Sequence, residues 1–351
     1  MTSADGLIEY EYGSYDVPGV EHPVYGVMCH PIDAGTAPLR TVIWNHGGLR
    51  TPTDTTNIGL TSADLDWCHD MAARHWRVAM STYRYLGVTN DGSLSIPSEL
   101  IASIPSALGR PSEFCLGEVT DVLRWTEIVR ARSDTNDNEM LMIGGSHGGC
   151  VTLRAVEQGA RVKAAIALAG PADFVAWYDD GVARFGAAAI DQWAPHFGGG
   201  GSILAPRDAL TARSAVRMAV DIERRNDVKV MLVASFGDIF VPPKTVCQLA
   251  GLLGTANYFV NSDGLGEPVE PGGPTGLTIP AEAYPECSAL SWATSASGSD
   301  GWTGNRYFML YQSVVGDTHG QTFWPTPWPL MPGDSTMDAP LGAFITAIFG
   351  D

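Results

Sequence analysis

The chain contains no apolar run approaching the ~18 residues that a bilayer-spanning helix needs, so no membrane span is expected. It also has no C-x-x-C pair. Its six cysteines (Cys29, Cys68, Cys115, Cys150, Cys247 and Cys287) stand singly, which gives neither a zinc site nor a dithiol redox motif. They read as buried thiols in apolar segments, with a disulfide between distant positions left open. Basic residues are scarce: 21 Lys and Arg stand against 39 Asp and Glu, for a formal net charge of −18. A chain so acidic repels phosphate backbones and anionic headgroups, which argues against nucleic acid or membrane as partner. The first residues, Met1-Thr-Ser-Ala-Asp-Gly6, offer neither a basic start nor an apolar stretch. No secretory signal is read there, and a cytoplasmic location is expected unless a signal was removed earlier.

The 351 residues are 45% hydrophobic, enough for one large α/β domain over 1–351. Apolar runs of strand length alternate with amphipathic stretches. Strands are expected at 23–32, 41–45, 77–84, 162–170, 228–236 and 307–315, and helices at 61–75 and 117–131. Continuous apolar strands alternating with helices indicate a mostly parallel sheet with helices on both faces. Two stretches break the rhythm. Residues 171–226 are helical and rich in aromatics, which suggests a helical cap inserted above the sheet. Residues 261–305 are rich in Gly, Pro and Ser and read as a long irregular loop, at the rim of a site or at contacts in a homo-oligomer.

The segment Met140-Leu-Met-Ile-Gly-Gly-Ser-His-Gly-Gly-Cys150 carries the chemistry. A buried strand runs into a sharp glycine turn with a serine at its apex, and a helix opens behind it. Gly144-x-Ser146-x-Gly148 is the pattern of a nucleophile elbow. With 40 glycines in the chain, composition alone gives roughly 0.3 such matches, so the strand–turn–helix context supplies the specificity. A serine hydroxyl is a weak nucleophile and needs a base, which in turn needs an orienting carboxylate. In a sheet of this kind both partners follow the serine, acid before histidine, at the ends of later strands. Asp238 follows the strand at 228–236, and His319 follows the strand at 307–315. Asp317 and Asp263 are weaker candidates for the acid. His147 is expected to point away along the elbow helix, and His22, His30, His69 and His75 read as structural. The oxyanion of a tetrahedral intermediate needs two N–H donors. The backbone N–H of His147 is one. The loop His46-Gly47-Gly48-Leu49 supplies the other, from Gly48 or from Leu49 beside it. Trp177, Trp193 and His196 in the cap are the candidates for substrate contact.

His46-Gly47-Gly48, Tyr83-Arg84-Tyr85-Leu86-Gly87, Glu118 to Trp125, Gly144-Gly-Ser-His-Gly-Gly149, Asp238-x-x-Val241-Pro242 and Gly316-x-x-His319-Gly320 occur in that order. The set resembles the α/β-hydrolase superfamily, in particular the prolyl-oligopeptidase catalytic domain and the dienelactone-hydrolase-like esterases. The resemblance implies the triad above and a hydrolase that needs neither metal nor cofactor. Dienelactone hydrolases proper use a cysteine where this chain has Ser146. Peptidases of the prolyl-oligopeptidase type usually carry an N-terminal propeller, for which about 40 residues ahead of the His-Gly-Gly strand are too few. The leading expectation is therefore an esterase acting on a small-molecule carboxylic ester. The alternatives are a peptidase or amidase with the same triad, for which Asp179 and Asp180 are candidate holders of a substrate ammonium, and a non-catalytic binding protein of the same fold.

Overall fold

The computed structural model describes residues 2, 6–48, 59–61, 64–65, 71–72, 75–84, 87–88, 113–187, 190, 206–236, 238, 240–260, 284–293, 302–311 and 339–350. Its strands are β1 (Ile8–Tyr15), β2 (Val24–Pro31), β3 (Leu39–Asn45), β4 (Gly59–Leu60), β5 (Trp76–Ser81), β6 (Gly87–Val88), β7 (Thr135–Gly145), β8 (Ala164–Leu168), β9 (Lys229–Ser235), β10 (Ala256–Val260), β11 (Trp292–Ala293) and β12 (Arg306–Tyr311). Its helices are α1 (Gly117–Arg130), α2 (His147–Glu157), α3 (Phe174–Phe185), α4 (Arg207–Thr211), α5 (Ala219–Arg224), α6 (Lys244–Leu253), α7 (Pro285–Ser288) and α8 (Ala339–Phe349).

Among the described residues ten strands form one sheet in the order β1-β2-β5-β3-β7-β8-β9-β12-β10-β11, and β4 pairs with β6 apart from it. The pairs β1–β2 and β2–β5 are antiparallel, and every other pair in the large sheet is parallel. The central register sets Ile43 beside Met142, Met142 beside Ala165, and Ala165 beside Val230. Successive strand residues face opposite sides of a sheet. Met140 and Met142 of β7 accordingly join one core with Val119, Val122, Trp125 and Val129 of α1. Leu141 and Ile143 join a second core with Leu341, Phe344, Ile345 and Ile348 of α8. Both faces of β7 are thus apolar, which is why its sequence shows a continuous apolar run rather than alternation. The spacing i, i+3, i+4, i+7 in α8 lines up one face, and each such side chain buried contributes about 1.5–3 kcal/mol.

Several expectations are revised. Strand β1 was missed, although Ile8 and Tyr10 are buried while Glu9 is exposed, a period of two. Strand β10 was also missed. Within the stretch 261–305, helix α7 and strand β11 are ordered elements, and β11 extends the sheet beside β10. In the 171–226 stretch, Asp173 caps α3 by accepting from the Val175 and Ala176 N–H groups at 2.9 and 3.2 Å. Phe174, Trp177 and Tyr178 of α3 are buried in the first core together with Val216 and Ile222. Among the described residues the cysteines are not thiols. Cys115 is joined to Cys150 and Cys247 to Cys287, with Cα–Cα distances of 5.9 and 5.0 Å, and Cys29 is disulfide-bonded as well. The partners are 35 and 40 residues apart, so no local spacing reveals them.

Candidate active site

Ser146 sits between the end of β7 and the start of α2 with φ 55° and ψ −118°. A non-glycine residue held there stores on the order of 1–3 kcal/mol, and the surroundings must hold it in place. The Ser146 N–H donates to the Leu168 carbonyl of β8 at 2.8 Å. Its own carbonyl accepts from the Gly149 N–H at 3.0 Å. The flanking glycines have no substitutes. A Cβ on Gly144 would strike the Gly148 carbonyl, and a Cβ on Gly148 would strike the carbonyls of Asn45 and His46. The Ser146 side chain is half-buried, within reach of solvent.

The adjacent strand β3 ends in Asn45 and runs into His46-Gly47-Gly48. Asn45 donates its side-chain amide to Thr152 Oγ1 of α2 at 2.8 Å, fixing the strand end to the elbow helix. A Cβ on Gly47 would lie 3.4 Å from the Ser146 Cβ, so this loop passes directly against the serine. Gly48 has φ 86°, in the region glycine adopts without cost. The His46 ring stacks on Tyr83 at 4.1 Å, and burial pushes its pKa down, so it sits neutral under the loop. Tyr83 also donates its hydroxyl to the His46 carbonyl at 3.1 Å.

Asp238 lies just past β9, two strands over from β7, and is 1% exposed. One carboxylate oxygen accepts from the N–H groups of Phe240 and Val241 at 2.9 and 2.7 Å, an Asx turn that fixes the carboxylate at the strand end. Strand β12 pairs with β9 through Tyr311 opposite Ser235, and the Phe236 N–H donates to the Tyr311 carbonyl at 3.0 Å. The chain that leads to His319 therefore leaves β12 beside the strand end that carries Asp238.

Residues 116–259 match the model of the prolyl oligopeptidase family. No curated protein matches the chain. Among solved structures, an acylaminoacyl peptidase in complex with Z-Gly-Gly-Phe-chloromethyl ketone aligns with a TM-score of 0.54 at 13% identity, over 92% of this chain and 39% of its own. The Pyrococcus horikoshii acylaminoacyl peptidase aligns with a TM-score of 0.50 at 15% identity, over 71% of this chain and 35% of its own. The chain has the α/β-hydrolase fold, and its residues 116–259 are similar to the prolyl oligopeptidase family. The chain spans between a third and two fifths of the length of those solved structures.

Within this fold the structure places Gly48, Ser146 with His147, and Asp238 just past the ends of β3, β7 and β9, with β8 between the last two. His319, Leu49, Trp193, His196, Asp317 and Asp263 lie outside the described residues. Trp177 is buried, with its ring 5.6 Å from Phe114, and donates its indole N–H to the Phe240 carbonyl at 2.7 Å. That bond ties it to the turn that carries Asp238. Asp179 is paired with Arg207 at 2.7 Å, and Asp180 with Arg184 and Lys244 at 2.7 Å each, so neither stands ready for a substrate ammonium. His147 does not point away along its helix: it is 1% exposed and packs back against Phe114 and the Gly48 loop.

The Tyr83-Arg84 and Glu118 segments have roles that no local sequence pattern marks. Arg84 donates from Nη2 and Nε to the buried Asp121 carboxylate at 2.8 and 3.1 Å, joining the turn after β5 to α1. Glu118 is fully buried and accepts from the N–H groups of Glu113, Phe114 and Leu116. Burial pushes its pKa up to about 7, with the charges of Asp121 and Glu113 adding to the rise.

Proposed function

We propose that the chain hydrolyses acyl compounds through a covalent acyl-enzyme, as a peptidase or amidase before it is an esterase. The observation that carries the reading is Ser146, strained and half-buried at the elbow with the Gly47–Gly48 loop against it. The Ser146 hydroxyl attacks the substrate carbonyl and passes its proton to His319. Asp238 holds the imidazole and stabilises its cationic form. The N–H groups of His147 and Gly48 bind the oxyanion, with Leu49 as alternative second donor. His319 returns the proton to the leaving amine, and a water activated by the same imidazole then releases the acid.

The sequence alone favours esters. The family matched by residues 116–259 and the acylaminoacyl peptidases that share the fold favour the amide alternative. The same acyl-enzyme accepts esters, so ester cleavage is expected as a second activity. The substrate is a small acyl compound or peptide, and with a net charge of −18 neither nucleic acid nor anionic membrane is proposed as partner. The disulfides favour an oxidising compartment over the cytoplasm.

A fluorophosphonate probe tests the nucleophile. We expect one adduct, on Ser146, absent in Ser146→Ala and in His319→Ala. Matched N-acyl aminoacyl anilides and p-nitrophenyl esters then rank the two substrate classes. Cleavage of esters alone would return the esterase reading to first place, and a folded protein that neither labels nor turns over would favour the binding-protein reading.

A further inference from the structure

The histidine that follows the nucleophile has a buried side chain for which the mechanism above has no use. Among the described residues two groups lie within hydrogen-bond reach of its ring nitrogens, and the Glu118 carboxylate stands 4.0 Å from Nε2. Nε2 lies 3.3 Å from the backbone N of Cys115, and Nδ1 lies 3.1 Å from the Gly48 carbonyl. An amide N–H can only donate, so Nε2 accepts. In a neutral imidazole the proton then resides on Nδ1, which donates to the Gly48 oxygen. One residue thus offers its backbone N–H to the oxyanion and, through its side chain, grips the loop that carries the second donor.

The Cys115 end is itself a built feature. Phe114 and Cys115 stand at φ 42° and 62°, two consecutive non-glycine residues in the left-handed region. Three independent ties hold them there. The Glu118 carboxylate accepts from the N–H groups of Glu113 and Phe114 at 2.6 and 3.1 Å and of Leu116 at 3.3 Å. The Arg213 guanidinium donates to the carbonyls of Glu113 and Phe114 at 3.0 and 2.9 Å. The disulfide fastens Cys115 to Cys150, on the same helix as His147, with both sulfurs 3.0–3.4 Å from the His147 carbonyl oxygen. Left-handed backbone outside glycine persists only where the surroundings over-determine it. Here the outcome of that arrangement is one N–H aimed at one imidazole nitrogen.

We propose that the His147 side chain is a positioning residue, a strut that runs from the strained Cys115 loop to Gly48 and fixes the spacing of the two oxyanion donors. The assignment rests on the acyl-enzyme reading of this site. Without the strut the Gly48 loop keeps its place in the fold but loses the alignment of its N–H. The cost therefore falls on the transition state, where the oxyanion exists, and spares ground-state binding.

Two variants and one spectrum test this. His147→Phe keeps a ring of similar size and removes both hydrogen bonds. His147→Gln restores one acceptor and one donor. On whichever anilide or ester the wild type cleaves, His147→Phe is expected to lower kcat about 10–100-fold with KM within about 3-fold, and to slow fluorophosphonate labelling of Ser146 in parallel. His147→Gln should recover most of that loss. An unchanged kcat in the Phe variant, a loss confined to KM, or equal losses in Phe and Gln would each overturn the strut. The nitrogen chemical shifts of His147, read by NMR on the unmodified protein, give a result that does not depend on folding of the variants or on turnover. A neutral ring protonated at Nδ1 supports the assignment, and a ring protonated at Nε2 overturns it. If the wild type neither labels nor cleaves, the hydrolase reading fails by itself, whatever tautomer the spectrum shows.

Discussion

At the residue scale, the elbow glycines and Glu118 make opposite demands on their neighbours. Gly148 is set by contact: any Cβ there enters the carbonyls of Asn45 and His46, which are backbone atoms of the adjoining strand end. Gly148→Ala is expected to cost at least about 3 kcal/mol in chemical denaturation and to abolish probe labelling of Ser146. Wild-type stability and labelling would refute the placement of the elbow. Glu118 is set by charge. In the unfolded chain it releases its proton near pH 4.5, and in the folded protein near pH 7, chiefly because it is buried. The folded state thus holds a proton that the unfolded state has lost between those values. Stability from this group is complete below pH 4.5 and declines as pH rises through about 7, by about 3 kcal/mol in all. Glu118→Gln removes the titration. Its Tm should vary less between pH 5 and pH 8 than that of the wild type and exceed it at pH 8; parallel curves would show that Glu118 is not buried as described. The elbow was legible in the sequence because its glycines and serine are adjacent in the chain. The role of Glu118 was not, because its meaning comes from the backbone N–H groups it meets at Glu113, Phe114 and Leu116, in a turn that no local pattern marks.

At the scale of elements, legibility followed the way each strand is covered. Strands β7, β8 and β9 are buried on both faces, and their unbroken apolar runs stand out from the sequence. Strand β1 pairs with β2 at the sheet edge, and its signal is the alternation of Ile8 and Tyr10 with Glu9, easily lost in a short polar segment. The junction between β5 and α1 depends on a partnership 37 residues apart, between Arg84 and Asp121. Asp121 is fully buried and the Arg84 side chain is only 11% exposed. Removing Arg84 leaves Asp121 as a buried charge without its ion-pair partner, and removing Asp121 leaves Arg84 the longer contact to Glu113 at 3.6 Å; breaking such a buried pair costs about 3–5 kcal/mol. Asp121→Ala is expected to lose that much in urea denaturation, and the double replacement Arg84→Met with Asp121→Leu to lose clearly less than the sum of the single losses. Additive losses would mean that the two side chains do not work as a pair.

At the scale of the whole molecule, the disulfides carry constraints that reach across the fold. Cys115–Cys150 joins the start of α1 to the elbow helix, and Cys247–Cys287 joins α6 to the short helix α7 before the edge strand β11. They close loops of 35 and 40 residues, and each restricts the unfolded chain enough to contribute about 4 kcal/mol in the chain-entropy account. An acidic chain with a net charge of −18 repels itself, and these links oppose the expansion that such repulsion favours. The two links should also separate by function. Reducing Cys247–Cys287, through Cys247→Ser with Cys287→Ser, is expected to lower Tm by several degrees while labelling of Ser146 below the transition is unchanged, because neither residue touches the elbow. Cys115→Ser with Cys150→Ser should lower Tm by a similar amount and also slow labelling, because Cys115 presents its N–H to His147. Scanning calorimetry beside probe kinetics on the two double variants measures both effects. Equal labelling rates in the two would place the Cys115 link in the scaffold alone, and a Tm unmoved by either would mean that the bonds do not form in the protein as it is made.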